Sequence, residues 1–393
     1  MVQMTGLSGR HILAVIGGTE LFGAERGMIQ ALLALKEAGA NITVGVSGRA
    51  ERGGAVGQLC RNLGFDTFTI PFGSHFAKKW MLRDHHYRRA QIRRLFSANA
   101  HFRKEVIKRK PDAFLFGSTL AYAFLAVALR RLKTPLVFRV GDKPIVQSRF
   151  QLWLWKSLAR RSHAIVCISE FIQKESAPHL PRKKQVDVIR NIAPLRTSAL
   201  DRVKLETLIE RKKPSQGVYL GNITAQKGVP ELVEALISLN DANTGCWILG
   251  GSPYTRDLET RLKARVSACQ TQTKIEFTGY VSDPRAYLKA ADWHIAPSAH
   301  SEALGNVVQE AKAQGTPSLV TPIGGLPETL TEGRTGWILE GPGAEAIKKG
   351  LYAMHSFNLR WMEQATLDEA AIINDAETFR NRWVSVLQSI LNP

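Results

Sequence analysis

The amino-acid sequence predicts an α/β protein built from two doubly wound parallel sheets in tandem. In the first half, short apolar runs alternate with segments of helical periodicity, which is typical of parallel strands joined by helices. The alternation begins again after a polar, charged interval at about residues 191–215. Both halves contain a strand that ends in two glycines, Gly17-Gly18 and Gly250-Gly251.

Six strands are predicted in the first half. The first is His11–Ile16, and the helix after it spans Gly23–Ala38, because apolar residues recur at helical spacing and Gly39 follows. Another helix is predicted to end at Arg131. The remaining strands are predicted at Asn41–Val46, Asp66–Pro71, Ala113–Phe116, Thr134–Val140 and Ala164–Ser169.

The second half is predicted to contain five strands and then mainly helices. The strands are Gly217–Gly221, Cys246–Gly250, Lys274–Phe277, Trp293–Ala296 and Ser318–Thr321. The helices include Val229–Leu239, Pro284–Ala291, Gly305–Gln314 and Ala376–Leu391. We predict domains at residues 1–195 and 196–372, followed by a helix at 373–393. Because ligands bind at the carboxyl ends of such strands, we expect the site in a cleft between the domains.

Positive charge is concentrated in the first half. The 393 residues carry a net charge of +19, and residues 1–190 hold 32 Lys and Arg against 12 Asp and Glu. Within residues 78–110 there are 12 Lys and Arg against two acidic residues. Such a field attracts nucleic acid, anionic lipid headgroups or a pyrophosphate-linked substrate. A solvated basic face that aids solubility is the alternative.

Several classes of protein are not expected. The four cysteines form no CxxC pair and the ten histidines no HExxH motif, so we expect neither a disulfide scaffold nor a metal site. The longest uncharged stretch, 113–129, has 17 residues and contains Gly117, so it is short for a membrane span. These features predict a soluble cytoplasmic protein.

The segment after the strand at Trp293–Ala296 has the clearest chemistry. Glu302 lies in a loop, and Glu310 follows eight residues later on the predicted helix. Gly305 lets a ligand approach the backbone, and the N–H groups at a helix start suit a phosphate. Glu302 would then lie beside the group attached to that phosphate, and Glu310 would accept hydrogen bonds from a ribose. Two solvated helix charges are the alternative.

This segment resembles the donor-binding signature of retaining glycosyltransferases of family four (glycosyl transferases group 1). That family has the GT-B fold, two Rossmann-like domains facing across a cleft. The shared features are two glutamates separated by seven residues, a Gly-x-Pro turn at 315–317 and a Gly-Gly-x-Pro-Glu element at 324–328. Phe22–Arg26, Tyr219–Gly228 and Phe277–Tyr280 are similar to further family elements in the same order, so the resemblance covers nearly the whole chain.

The resemblance implies a donor site in the second domain for a nucleotide-sugar, a UDP-sugar first and a GDP-sugar as the alternative, with no cofactor or metal. Glu302 would contact the transferred sugar, Glu310 the ribose, and Lys227 the departing diphosphate. The other implied donor contacts are Gly23, Asn222, Gly250, Tyr280, Leu304, Gly305 and Asn306.

Two positions differ from the family pattern. Asn222 stands where Arg is common, so Lys227 is the one cation of its element. Gly141 stands where many members have a histidine near the acceptor. Arg139, Asp142 and Lys143 are therefore candidates for the acceptor side, with Asp142 as a third catalytic candidate beside Glu302 and Lys227. Alternatively, Asp142 caps a turn and pairs with Arg139; Glu25 is either an active-site carboxylate or a first-turn helix charge.

Residues 78–110, which we call the basic tract, are predicted to lie on an anionic membrane or an acceptor. Ile92, Leu95, Phe96, Phe102 and Val106 follow roughly helical spacing among cations. The alternative is a helix whose apolar stripe packs on the sheet. The cations assigned to this patch are Lys78, Lys79, Arg83, Arg88, Arg89, Arg93 and Arg94.

The function expected from these features is sugar transfer from a nucleotide-diphosphate-sugar to a lipid-linked glycan acceptor in bacterial lipopolysaccharide or envelope polysaccharide biosynthesis. The enzyme would be peripheral on the cytoplasmic face of the inner membrane. Its basic first domain would bind the acceptor, and its last helix would cross back to that domain. A GT-B epimerase or sugar phosphorylase is the alternative within the fold. A nucleic-acid-binding protein is the alternative of another class, although no RNP, KH or helix-turn-helix signature occurs.

Overall fold

The computed structural model describes residues 6–72, 85–146, 148–182, 184–193, 199–252, 256–354 and 359–392. The chain forms two compact units. Unit 1 comprises Met1–Asn191 together with Ala376–Pro393, and unit 2 comprises Ile192–Asp375.

Unit 1 contains a seven-stranded parallel sheet. Its strands are β1 (His11–Ile16), β2 (Asn41–Ser47), β3 (Asp66–Ile70), β4 (Ala113–Phe116), β5 (Leu136–Val140), β6 (Ala164–Cys167) and β7 (Gln185–Val188). Their order is β3-β2-β1-β4-β5-β6-β7. The central strands are apolar and buried at almost every residue, as expected for a parallel sheet covered on both faces.

The helices of unit 1 include the last described helix of the chain. They are α1 (Gly23–Glu37), α2 (Gly54–Asn62), α3 (His85–Arg109), α4 (Thr119–Arg131), α5 (Arg149–Arg161), α6 (Glu170–Ser176) and, after unit 2, α14 (Ala376–Leu391). Helix α14 packs against α1, and its buried side chains include Phe379, Trp383 and Leu387. Helix α4 packs against both α3 and α5.

Unit 2 contains a six-stranded parallel sheet of the same winding. Its strands are β8 (Ser215–Leu220), β9 (Thr244–Leu249), β10 (Lys274–Gly279), β11 (Trp293–Ala296), β12 (Ser318–Val320) and β13 (Gly336–Ile338), in the order β10-β9-β8-β11-β12-β13. Its helices are α7 (Arg202–Arg211), α8 (Val229–Leu239), α9 (Arg256–Ser267), α10 (Arg285–Ala290), α11 (Asn306–Lys312), α12 (Ala344–Met354) and α13 (Leu359–Ile373).

Each sheet has a topological switch point, where the strand order reverses and the loops after two neighbouring strands diverge. In unit 1 this point lies between β1 and β4, and in unit 2 it lies between β8 and β11. The loops after β8 and β11 carry Lys227 and Glu302, so the fold brings these two positions to one edge of the unit 2 sheet. Across the described parts of the chain, no helix is long and apolar enough to cross a membrane.

Candidate active site

The loop after β8 ends in one turn of 3-10 helix, Ala225–Lys227. Thr224 caps this turn, because its hydroxyl accepts a hydrogen bond from the Lys227 backbone N–H at 3.3 Å. Gly228 follows with φ +71°, a left-handed conformation that favours glycine. The turn therefore places Lys227 directly before the start of α8.

The loop after β11 holds the 3-10 turn in position. The carbonyl oxygen of Gln226 accepts hydrogen bonds from the backbone N–H groups of Ala299 at 3.0 Å and His300 at 3.2 Å. Gly228 lies so close to Pro297 that a Cβ would be 1.8 Å from its carbonyl oxygen. Only glycine therefore allows the two loops to approach this closely.

Glu302 is the carboxylate on which the two loops converge. Its Oε1 accepts a hydrogen bond from the Ser298 hydroxyl at 2.6 Å and forms an ion pair with Lys227 Nζ. The Glu302 side chain is 19% exposed and that of Lys227 39%. Backbone contacts fix Glu302 further, since its carbonyl oxygen accepts from Gly325 N–H at 2.8 Å. The carboxylate is thus held in place, whereas the ammonium group is more open to solvent.

A buried tyrosine lies close to this pair. Burial raises the pKa of Tyr219, and the negative charge of Glu302 raises it further. The Tyr219 hydroxyl donates to the carbonyl oxygen of Asn222 at 2.7 Å. Tyr219 is therefore a neutral hydrogen-bond donor that supports the loop after β8.

Helix α11 carries the second predicted glutamate. Gly305 precedes the helix in a left-handed conformation, φ +93°, and Leu304 is buried. Asn306 is the first helical residue, and Glu310 lies one turn later on a partly buried face. The sequence-predicted residues of this segment therefore belong to one continuous loop and helix.

Other predicted donor residues lie at the ends of neighbouring strands of unit 2. Gly250 follows β9, and a Cβ there would lie 1.8 Å from the Gly221 carbonyl oxygen, so glycine is required for the ends of β8 and β9 to meet. Tyr280 follows β10 and is 77% exposed. Asn222 contributes its carbonyl oxygen to Tyr219.

In unit 1 the predicted acceptor-side residues separate into two environments. Arg139 on β5 is buried and donates from Nη2 to Asn191 Oδ1 at 2.7 Å and from Nη1 to the Ala24 carbonyl oxygen at 3.4 Å. Burial lowers the pKa of Arg139 to about 10, although the negative charge of Glu25 opposes that shift. Burial raises the pKa of Glu25. The guanidinium of Arg139 is therefore bound by Asn191 and Ala24 rather than by Asp142, which corrects the alternative pairing.

Asp142 and Lys143 are exposed. Asp142 Oδ1 accepts a hydrogen bond from the Lys143 backbone N–H at 2.9 Å. This local contact agrees with the alternative in which Asp142 caps a turn. Gly23 begins α1 on the exposed side of unit 1. The structure gives the positions of these three residues, and their proposed contacts with an acceptor or a donor stay predictions.

The basic tract is in part a core helix. Phe102 and Val106 of α3 are buried, and Phe102 packs on Phe114 at 5.8 Å between ring centroids. Their predicted place on a membrane-facing stripe is therefore wrong, because both are buried and Phe102 packs on β4. Ile92 and Phe96 are exposed among the exposed cations Arg89, Arg93 and Arg94. Lys78, Lys79 and Arg83 lie outside the described residues, as does the side chain of Arg88.

Two contributors were not found from the sequence. Ser298 anchors Glu302, and its position four residues earlier in the same loop was the available signal. Asn191 holds the Arg139 guanidinium, but nothing in its local sequence indicates a contact with a residue 52 positions away.

Comparison with known proteins agrees with this architecture. Residues 204–358 match the family described as glycosyl transferases group 1. The lipopolysaccharide core biosynthesis glycosyltransferase LpsE of Rhizobium meliloti (strain 1021) is 27% identical over 271 residues, which are 69% of this chain and 73% of that protein.

Solved structures resemble the chain along nearly its whole length. A glycosyltransferase from Rickettsia africae ESF-5 has a TM-score of 0.80 at 20% identity, with 97% of this chain and 98% of that chain covered. HepE from Anabaena, solved in complex with UDP-glucose, has a TM-score of 0.77 at 17% identity, with 96% and 99% covered.

The two parallel α/β units and these structural neighbours show the GT-B architecture, which confirms the predicted fold class. Within that architecture, residues 204–358 are the segment that matches the glycosyl transferases group 1 family. The matched segment contains Lys227, Glu302 and Glu310, the residues at the switch point of the unit 2 sheet.

Proposed function

We propose that the protein is a retaining glycosyltransferase that moves a sugar from a nucleoside-diphosphate-sugar to a hydroxyl of a lipid-linked glycan. The observation that carries the proposal is the ion pair between Lys227 Nζ and Glu302 Oε1 at the switch point of unit 2. The pair supplies a cation suited to a diphosphate beside a carboxylate suited to sugar hydroxyls. The GT-B fold and the match of residues 204–358 to the group 1 family support the same reaction class.

In the proposed reaction the bond between the anomeric carbon and the β-phosphate oxygen breaks, and the acceptor oxygen bonds to that carbon. The diphosphate keeps the electron pair, and the acceptor proton passes to the diphosphate or to water. An ammonium group has three donors, so Lys227 can hold Glu302 and also donate to a phosphate oxygen. Its fixed charge stabilises the diphosphate as negative charge develops. We propose that turnover needs no divalent metal ion.

The remaining donor contacts in this proposal follow from position. Glu310 accepts from the ribose hydroxyls, and the backbone N–H groups of residues 304–306 face the diphosphate. Tyr280 lies near the base, with Asn222, Gly250 and Gly23 as further contacts. UDP-glucose bound to the Anabaena neighbour supports UDP as the nucleotide, with GDP as the alternative.

We assign the acceptor to unit 1, with the exposed Asp142 and Lys143 on its side, whereas the buried Arg139 is not accessible to it. The name of the Rhizobium relative supports a lipopolysaccharide or other envelope glycan as the acceptor. The net charge of +20 over residues 1–190 supports work at the anionic cytoplasmic face of the inner membrane.

The donor assignment is tested by thermal unfolding with UDP, GDP and ADP, because a ligand that binds the folded state raises its melting temperature. We expect UDP to give the largest rise and EDTA to leave transfer unchanged. Glu302→Gln should abolish transfer while the UDP-induced rise persists; Glu345→Gln, an exposed glutamate of α12, is the control. No rise with any nucleotide would overturn the assignment, and release of free sugar without an acceptor would favour an epimerase.

A further inference from the structure

An exposed apolar patch lies where β5 leads into α5. Ile145 and Val146 precede the helix, and Phe150 and Trp153 lie on its first turns; all four side chains are about half exposed. The rings of Phe150 and Trp153 stack, with centroids 6.0 Å apart and planes inclined by 21°. We call these four residues the α5 patch.

The exposure of the α5 patch is fixed by the way α5 is seated on unit 1. Ser148 caps the helix by accepting from Gln151 N–H at 3.3 Å. On the opposite side, Leu154, Trp155 and Leu158 are buried, and Trp155 packs edge-on against Phe138 at 5.7 Å. Because the opposite side of the helix packs into the core, the side chains of Phe150 and Trp153 face away from the core.

Cations predominate around the α5 patch in sequence, although the exposed Asp142 lies three positions before Ile145. From Lys143 to Arg161 the chain contains five Lys and Arg residues and no Asp or Glu. Lys143 and Arg149 are exposed beside the apolar side chains. An apolar group flanked by cations is complementary to the interface of an anionic bilayer, where aromatic rings lie at headgroup level and lysines and arginines contact phosphates.

We infer that the α5 patch inserts into the headgroup region of an anionic membrane and anchors unit 1 there. This inference rests on the proposed function in one respect, because the lipid-linked acceptor proposed there would lie in a membrane. A second copy of the chain fits the patch poorly, since its own cations would repel those of the first. A sugar chain stacks on aromatic faces but gains little from Ile145 and Val146.

The α5 patch differs in kind from the basic face of α3. Contacts of Arg89, Arg93 and Arg94 with phosphates are electrostatic and weaken as salt screens them. Insertion of Phe150 and Trp153 removes apolar surface from water and resists salt. The two contributions to membrane binding are therefore separable by ionic strength.

The experiment is sedimentation of the full-length protein with vesicles of equal parts phosphatidylglycerol and phosphatidylcholine, at low and high salt. Phe150→Ser with Trp153→Ser should lower the salt-resistant binding by about tenfold or more. Trp361→Ser is the matched control, because Trp361 of unit 2 is 59% exposed against 56% for Trp153. UDP-induced stabilisation should be the same in all variants, so failure of the anchor and failure of the donor assignment give different results.

A second measurement reports insertion directly. With brominated lipids in the vesicles, tryptophan fluorescence of the wild type should be quenched on binding. Trp153→Phe keeps an apolar ring and should still bind, but it should lose part of that quenching. Unchanged quenching, or equal loss of binding in Trp361→Ser, would overturn the inference. A dimer that the double serine variant dissociates without changing vesicle binding would assign the patch to self-association instead.

Discussion

At the residue scale, the two partners of the Lys227–Glu302 ion pair are held in different ways. Ser298 and the backbone contact with Gly325 fix the carboxylate, whereas the lysine approaches it from a separate loop. An ion pair that is partly exposed contributes little to folding. Its arrangement is therefore better explained by the charge of a ligand than by stability.

Replacing Lys227 by alanine should lower turnover by about a hundredfold or more, because negative charge on the diphosphate increases from the bound donor to the transition state. Nucleotide binding should change less. Steady-state kinetics combined with UDP titration measure both effects. Lys274→Ala, which removes an exposed lysine of β10, is the control. Turnover within about threefold of wild type would mean that another cation contacts the diphosphate.

His294 gives unit 2 a defined acid sensitivity. It is fully buried on β11, and Nδ1 lies 3.0 Å from the Ser318 hydroxyl; within the described residues Nε2 has no hydrogen-bond partner. Burial lowers its pKa to about 3. Since the unfolded chain takes up this proton near pH 6.5 and the folded chain does not, stability falls as the pH drops from 6.5 towards 3.

We expect His294 to account for roughly 1.4 kcal/mol of lost stability per pH unit within that window. His294→Asn should flatten the pH dependence of the free energy of unfolding by this amount, whatever its effect at pH 7. Denaturant titrations at several pH values measure the slope. His300→Asn, the loss of an exposed histidine, is the comparison, and an equal slope in wild type and His294→Asn would contradict the assignment.

Individual roles were less predictable than motif positions. The sequence identified Glu302, Lys227 and Glu310 through a family resemblance, although the ion pair joins residues 75 positions apart. Arg139 was a candidate for the acceptor side because it lies beside Gly141, which stands where many family members have a histidine near the acceptor. In the structure Arg139 is buried and donates to Asn191, which only the folded sheet brings to it.

At the element scale, the close approach of two loops sets the geometry of the site. The 3-10 turn after β8 and the loop after β11 contact each other through backbone groups, with Gly228 at the narrowest point. A side chain there would push the turn, and Lys227 with it, away from Glu302.

Gly228→Ala and Gly333→Ala form a matched pair, since their φ angles are +71° and +72° but only Gly228 has atoms within reach of a Cβ. Gly333→Ala should cost about 1–2 kcal/mol of stability from backbone strain alone. Gly228→Ala should cost about 1–3 kcal/mol more from the clash and should also weaken UDP binding. Denaturant unfolding and UDP titration measure both; equal effects of the two variants would show that the loops tolerate separation.

The central strands were predicted within a residue or two because each is a continuous apolar run. The missed strands, β7 and β13, lie at sheet edges. In β7 the charged Asp187 interrupts the apolar run, and β13 has only three residues. Helix α7 was missed because it lies in the charged interval and because Leu208 is the one buried side chain among its described residues, so it shows little apolar periodicity. Pattern analysis depends on buried apolar surface, and these elements bury little.

For the molecule as a whole, the two units differ in charge by far more than their similar folds require. Residues 192–375, which form unit 2, contain 19 Lys and Arg against 21 Asp and Glu, so unit 2 is nearly neutral. Net charge of one sign favours association with surfaces of the other sign. The positive unit is therefore suited to a phosphate-rich surface and the neutral one to a small ligand.

Changing Arg89, Arg93, Arg94 and Arg103 together to Gln should weaken binding to anionic vesicles at low salt by several kcal/mol, at about 1 kcal/mol for each cation. The same charge change in unit 2, at Arg202, Arg261, Lys263 and Lys349, is the control. Sedimentation over a range of salt concentrations measures both. UDP binding should survive in each variant; its loss in the unit 1 variant would place these arginines in the donor site.

The position of α14 in the sequence affects the order in which the protein can be completed during synthesis. Unit 1 is discontinuous, because Ala376–Leu391 belongs to it while all of unit 2 lies between. A ribosome therefore releases the whole of unit 2 before Phe379 and Trp383 are available to pack on α1. Domains usually fold in chain order. Here the second unit is the first that can finish folding, and the first must wait for the α14 segment.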